Sequence, residues 1–85
     1  MKSSIIRKRQ EKLRERFSRL MGYERHFNVH THFMTGKRTL QHISPELLEC
    51  IMSMRKLEVR PIYDGGYDEI VNLVLTKVTT DVLDE

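Results

Sequence analysis

All four histidines of the chain lie in one short stretch, "HFNVHTHFMTGKRTLQH", residues 26–42. His30 and His32 flank a single residue. On a strand, side chains two apart leave the same face about 6.5–7 Å from each other, and two imidazoles so placed can share a zinc ion. His26 and His42 are the further ligands to consider. Against a metal stands the absence of any Asp, Glu or Cys from Arg25 through Ile43. A catalytic zinc needs an ordered second shell and a general base as well. His30 and His32 therefore stand only as weak metal candidates, and no metal or cofactor is expected.

Other reactive groups carry less. Cys50 sits among Leu47, Leu48 and Ile51, where a thiol behaves as a small hydrophobe. Asp64, Asp68 and Glu69 surround a glycine turn without an opposed second acid. "DGGYDE" lacks the Gly-Lys-Ser/Thr of a phosphate loop. No catalytic residue follows from these patterns.

The cations say more. Residues 1–42 carry eleven Lys or Arg against three Glu, and residues 43–85 carry four against nine Asp or Glu. The net charge of +3 thus hides a basic half followed by an acidic half. Lys8, Arg9, Lys12, Arg16 and Arg19 share one arc of a helix, mostly opposite Ile6, Leu13, Phe17 and Leu20. Such a row can follow phosphates. Lys37 and Arg38 add a second cationic point, and Asn28, His30 and His32 offer hydrogen bonds and stacking to bases, favouring RNA or single strands.

These residues need elements to hold them. "SSIIRKRQEKLRERFSRLMG" predicts a helix begun by Ser3 or Ser4 and stopped at Gly22. From Tyr23 the period becomes two, with Tyr23, Phe27, Val29, Thr31 and Phe33 on one face and Glu24, His26, Asn28, His30 and His32 on the other. Gly36 allows a turn, and "RTLQHI" returns as the second strand of a hairpin. Ser44 and Pro45 open a second helix. Its apolar stripe of Leu47, Leu48, Cys50, Ile51, Met52 and Met54 is wide enough to take either the first helix or a second copy of the chain. "LEVRPIY" predicts a short edge strand and "DGG" a turn. In "YDEIVNLVLTKVTTDVL" the β-branched residues favour a strand, although Ile70, Val74, Val78 and Val82 could line a helix capped by Asp68.

The expectation is one α+β domain over residues 1–85, of order α-β-β-α-β-β. A basic amphipathic helix (1–22) precedes a ββαββ body (23–85), in two layers with an antiparallel sheet and helices on one face. A chain this short has little room for a deep substrate cavity. No apolar run approaches the roughly 18–20 residues of a membrane span, no signal-peptide pattern is evident, and a single cysteine suits a reducing compartment. These features predict a soluble cytoplasmic protein, non-catalytic, that binds nucleic acid (RNA or DNA) as a regulator or accessory factor. The alternative is an adaptor or inhibitor that docks on an acidic protein surface. A homo-oligomer is expected, most simply a dimer, with Leu48 and Met52 as the contact residues.

Overall fold

In a computed structural model describing residues 2–63 and 66–84, the element order is α-β-β-α-α. Helix α1 (Lys2–Met21) is followed by a 3₁₀ turn (Glu24–His26), β1 (Phe27–Thr31), β2 (Arg38–Ile43), α2 (Pro45–Lys56) and α3 (Tyr67–Asp84). The expected serine cap of α1 is not used, because Ser3 and Ser4 already lie within the helix. Phe17 and Leu20 are buried on its apolar arc, and Leu13 and Met21 pack at the edge of the core. Past Met21, Gly22 and Tyr23 donate their N–H groups to the carbonyls of Arg19 and Leu20, both at 3.2 Å, which closes the last turn.

β1 and β2 form the two-stranded antiparallel sheet, pairing Phe27 with Ile43, Val29 with Leu40, His30 with Thr39 and Thr31 with Arg38. The register shifts between Asn28 and Val29, so that Gln41 is skipped. Paired residues share a face. Val29, Leu40, Phe27 and Ile43 therefore point to the core, and Asn28, His30, Thr39 and His42 to the open side. A hairpin alone is marginal in water, and the helices packed on its apolar face make it stable.

Ser44 caps α2 as expected. Its Oγ accepts from the Leu47 N–H at 3.2 Å, Pro45 takes the first helical position and Glu46 sits in the first turn. Leu47, Cys50, Ile51 and Met54 have no exposed surface. Burying a side chain of that size stabilises the fold by about 1.5–3 kcal/mol. Helix α1 runs beside α2: Gln10 Nε2 donates to the Leu57 carbonyl at 3.3 Å, and the Cys50 thiol lies 3.6 Å from the Leu13 carbonyl. Most of the wide stripe of α2 is thus covered within the chain, while Met52 stays exposed.

The order α-β-β-α-β-β is wrong in its last two elements. "LEVRPIY" is not a strand, because its first residues stop α2. Glu58 takes a left-handed φ of 55°. The Glu58 N–H then donates to Arg55 C=O at 3.2 Å, and the Val59 N–H reaches back to Met54 C=O at 2.8 Å. Those two bonds form a Schellman stop, and Val59 is buried in the same core cluster as Met54. Beyond it, the Arg60 carbonyl accepts from Arg14 Nε at 2.8 Å, so a side chain of α1 takes a role a sheet partner would have filled.

The last element is helical, not extended. Tyr67, Ile70 and Val74 recur at i, i+3 and i+7 and are all buried, while Asp68 and Glu69 occupy the favourable first turn. The Tyr67 ring meets Phe17 edge-on at 5.3 Å. Tertiary burial of this stripe outweighs the β preference of the valines and threonines, since most helical stability in proteins comes from packing. Of the expected "DGG" turn, Asp64 and Gly65 lie outside the described residues, and Gly66 has a positive φ of 84°.

Candidate nucleic-acid interface

Five cations on α1 form a ridge. At 100° per residue Lys8, Arg19, Lys12, Arg16 and Arg9 fall within about 100° of arc, and Lys8 to Arg19 spans about 16 Å. All five are exposed. The ridge adjoins α2, where Arg9, Lys12 and Arg16 line a shallow groove of about 310 Å³ with Leu13, Ser53 and Leu57. Glu11 and Glu15 lie on the adjoining flank, about 60° and 20° of helical arc from Lys8, beside Arg14, Ser18, Ile62 and Tyr63. Glu15, three residues from Lys12 and four from Arg19, therefore blunts the positive field along this edge without cancelling it.

Arg16 of α1 and Glu46 and Glu49 of α2 are all close enough to Cys50 for their charges to act on it.

The hairpin distributes its polar residues differently from the sequence pattern. Arg38 lies on the core-facing side of β2 and pairs with Glu69 of α3. It is half-exposed, so its charge is partly engaged before any ligand arrives. Lys37, at the end of the turn, is exposed. Asn28 and His30 share the open face as expected, and of the four imidazoles only that of His30 has no hydrogen-bond partner among the described residues.

The other three imidazoles have structural work. The 3₁₀ turn breaks the two-residue period, so His26 is buried instead of facing solvent with His30. Its Nε2 accepts from Arg25 Nε at 3.4 Å, which leaves the proton on Nδ1 to donate to Ser44 Oγ at 3.0 Å. The Ser44 N–H donates in return to the His26 carbonyl at 2.7 Å. This clasp locks the start of the hairpin to the start of α2. His42 Nε2 donates to the Arg25 carbonyl at 3.3 Å, and Arg25 itself lies over the Tyr23 ring at 5.1 Å.

His32 lies beyond β1, in the turn. Its Nδ1 accepts from the N–H groups of Met34 and Thr35, at 3.3 and 3.2 Å, and faces Thr35 Oγ1 at 3.1 Å. His30 and His32 are therefore not an equivalent pair on one strand face. Among the described residues no group of three or more His, Cys, Asp or Glu is arranged to hold a metal ion.

Cys50 is fully buried, and burial pushes its thiol above the ordinary value of 9.0, with Arg16 opposing and Glu46 and Glu49 adding to the rise. Burial likewise raises the Tyr67 phenol above 10.0, against the opposing charges of Arg60 and Arg55. Neither group is poised for nucleophilic or acid–base work near neutrality. Of the two residues expected at a partner contact, Leu48 is half-buried against the core and Met52 is 48% exposed.

Sequence pattern alone missed Phe33. The two-residue period aims it at the core, yet it is 92% exposed at the hairpin tip, with Met34 79% exposed beside it. The available signal was the turn chemistry of "HFMTGK", which ends the strand before Phe33. No helix among the described residues is long and apolar enough to cross a membrane. Comparison with protein-family models, curated proteins and solved structures finds no match.

Proposed function

We propose that this protein is a non-catalytic, cytoplasmic nucleic-acid-binding regulator or accessory factor. It takes the phosphate backbone along the α1 ridge. The observation that carries this reading is the cationic ridge on α1: five exposed cations within about 100° of arc, bordered along one edge by Glu11 and Glu15. Lys8, Arg9, Lys12, Arg16 and Arg19 make the phosphate contacts, and Lys37 supplies a separate contact at the hairpin. Asn28 and His30 offer hydrogen bonds to sugars or bases, and Arg38 joins only when Glu69 yields it.

Salt dependence tests the reading directly. Three to five phosphate contacts on a duplex give a slope of about −2.7 to −4.5 in log K against log salt. Raising salt from 50 to 200 mM then weakens binding about 40- to 500-fold. For a single strand the slope is about −2 to −3.5. Absence of binding to any oligonucleotide at 100 μM and low salt, weaker than ordinary non-specific affinity, overturns the proposal.

A second reading is supported by a specific observation: Ile5, Ile6 and Met52 are apolar and about half-exposed. An adaptor or inhibitor would present these with the cations to an acidic partner, and a second copy of the chain could use Met52 and Leu48 in the same way. A sedimentation or light-scattering mass across a concentration series separates the dimer from the monomer.

A further inference from the structure

The hairpin packs the apolar residues of its strands against the core but leaves an apolar tip exposed. Among the described residues Phe33 and Met34 are the most exposed apolar pair adjacent in sequence, and neither contributes to the core. Yet the turn carrying them is held from within. His32 N–H donates to Lys37 C=O at 2.7 Å and Gly36 N–H to His32 C=O at 2.9 Å. Met34 and Thr35 N–H groups donate to His32 Nδ1, and Lys37 N–H to Thr35 Oγ1 at 3.2 Å. Four successive N–H groups, Met34 to Lys37, thus find acceptors inside the turn, and Gly36 supplies the left-handed φ of 71° that closes it. A side chain presented from so constrained a turn loses little further freedom when it is bound.

The surroundings select the occupant. The hairpin from Phe27 to Ile43 contains no acid, and Lys37 stands at the foot of the tip while His30 lies one residue behind the turn. Arg38 is close by, with Glu69 as its partner. An aromatic face beside a cation on an acid-free hairpin matches a base beside a phosphate, as in single-strand-binding proteins, where bases stack on aromatic side chains within basic grooves. A paired base offers no free face without unstacking.

We infer that Phe33 is a stacking platform for an unpaired base of RNA or single-stranded DNA, with Lys37 on the adjacent phosphate and Met34 packing against the base edge. This inference rests on the nucleic-acid reading above and adds the class of substrate and the residue that selects it. Stacked aromatics contribute enough that removing one weakens single-strand binding about 5- to 150-fold.

The test uses two variants of the full chain. The sequence contains no tryptophan, so Phe33→Trp places a lone fluorescent reporter at the tip. Phe33→Ala removes the ring without touching the core, and circular dichroism should show both variants folded. The expected result is loss of single-strand affinity in Phe33→Ala with duplex affinity unchanged, and quenching of the introduced indole's emission in Phe33→Trp by a short oligonucleotide. If the wild type binds oligonucleotides with a steep salt slope but Phe33→Ala binds equally well and the indole is not quenched, the platform is refuted and the ridge alone binds. If no oligonucleotide binds the wild type, both readings fail. A blue shift of the indole emission with anionic phosphatidylserine vesicles and no response to oligonucleotides would make the tip a lipid-contacting element and overturn the inference.

Discussion

Replacing Glu58 by glycine should stabilise the protein. Glu58 is a non-glycine residue held at φ 55°, and left-handed backbone costs an L-residue about 1–2 kcal/mol. Glycine removes that cost, but it also loosens the unfolded chain, which subtracts about 0.5–1 kcal/mol. The net gain is about 0.5–1 kcal/mol. For a chain this size that raises Tm by about 2–8 °C, and with a urea m-value of about 1 kcal/mol/M it moves the midpoint by about 0.5–1 M. Urea unfolding followed by circular dichroism reads the change directly. Glu58→Val should move the midpoint the other way, because a branched Cβ is least tolerated at positive φ. The sign is the decisive quantity. If residues 57–63 were instead an extended strand, glycine at position 58 would destabilise by a similar amount. A lowered midpoint for Glu58→Gly would therefore refute the Schellman stop and, with it, the fold described for the second half of the chain.

Lys12→Glu and Arg16→Glu should each weaken oligonucleotide binding, and the salt slope should shrink by about one for each lost phosphate contact. Ser44→Ala should cost about 2–4 kcal/mol in chemical denaturation, combining a lost helix cap with an unpaired His26 nitrogen, and Ser44→Thr should restore most of it. Cys50 should resist thiol labelling in the native state at pH 8 and react only at the rate of unfolding, since burial disfavours its thiolate. Because the folded chain holds the Cys50 and Tyr67 protons above their ordinary values of 9.0 and 10.0, the unfolded chain loses them first. Stability should then fall as pH rises from about 9, and urea midpoints between about pH 8 and 11 check the direction.

The first half of the fold was legible because local chemistry and tertiary packing agree there. The stripe of Phe17 and Leu20, the turn at Gly36, and the Ser44-Pro45 helix start all state their element in a few residues. The second half was not, for two physical reasons. A Schellman stop normally announces itself by glycine, and here the left-handed position is Glu58. Helix α3 carries six β-branched residues between Val71 and Thr80, so propensity points to a strand while the burial of Tyr67, Ile70 and Val74 decides for a helix. The same division runs through the candidate site. The α1 ridge follows from helical spacing alone. The histidines do not, because the 3₁₀ turn before β1 and the end of β1 at Thr31 each shift a ring out of the alternation, sending His26 inward and His32 into the turn.

A sheet of two strands has two unpaired margins, and each is a template on which another extended chain could add. In this protein the margins are poor templates. The strands are only five and six residues long, the skipped Gln41 interrupts the ladder two residues from the end of their pairing, and His30 on β1 and Arg38 and His42 on β2 add polar side chains. The register shift, a local irregularity in itself, thus has a molecular-scale consequence: it spoils the regular spacing of donors and acceptors that edge-to-edge growth would require. Restoring that spacing by deleting Gln41 would lengthen the regular ladder and make the hairpin a nucleus for intermolecular pairing, visible as concentration-dependent β-aggregation on storage.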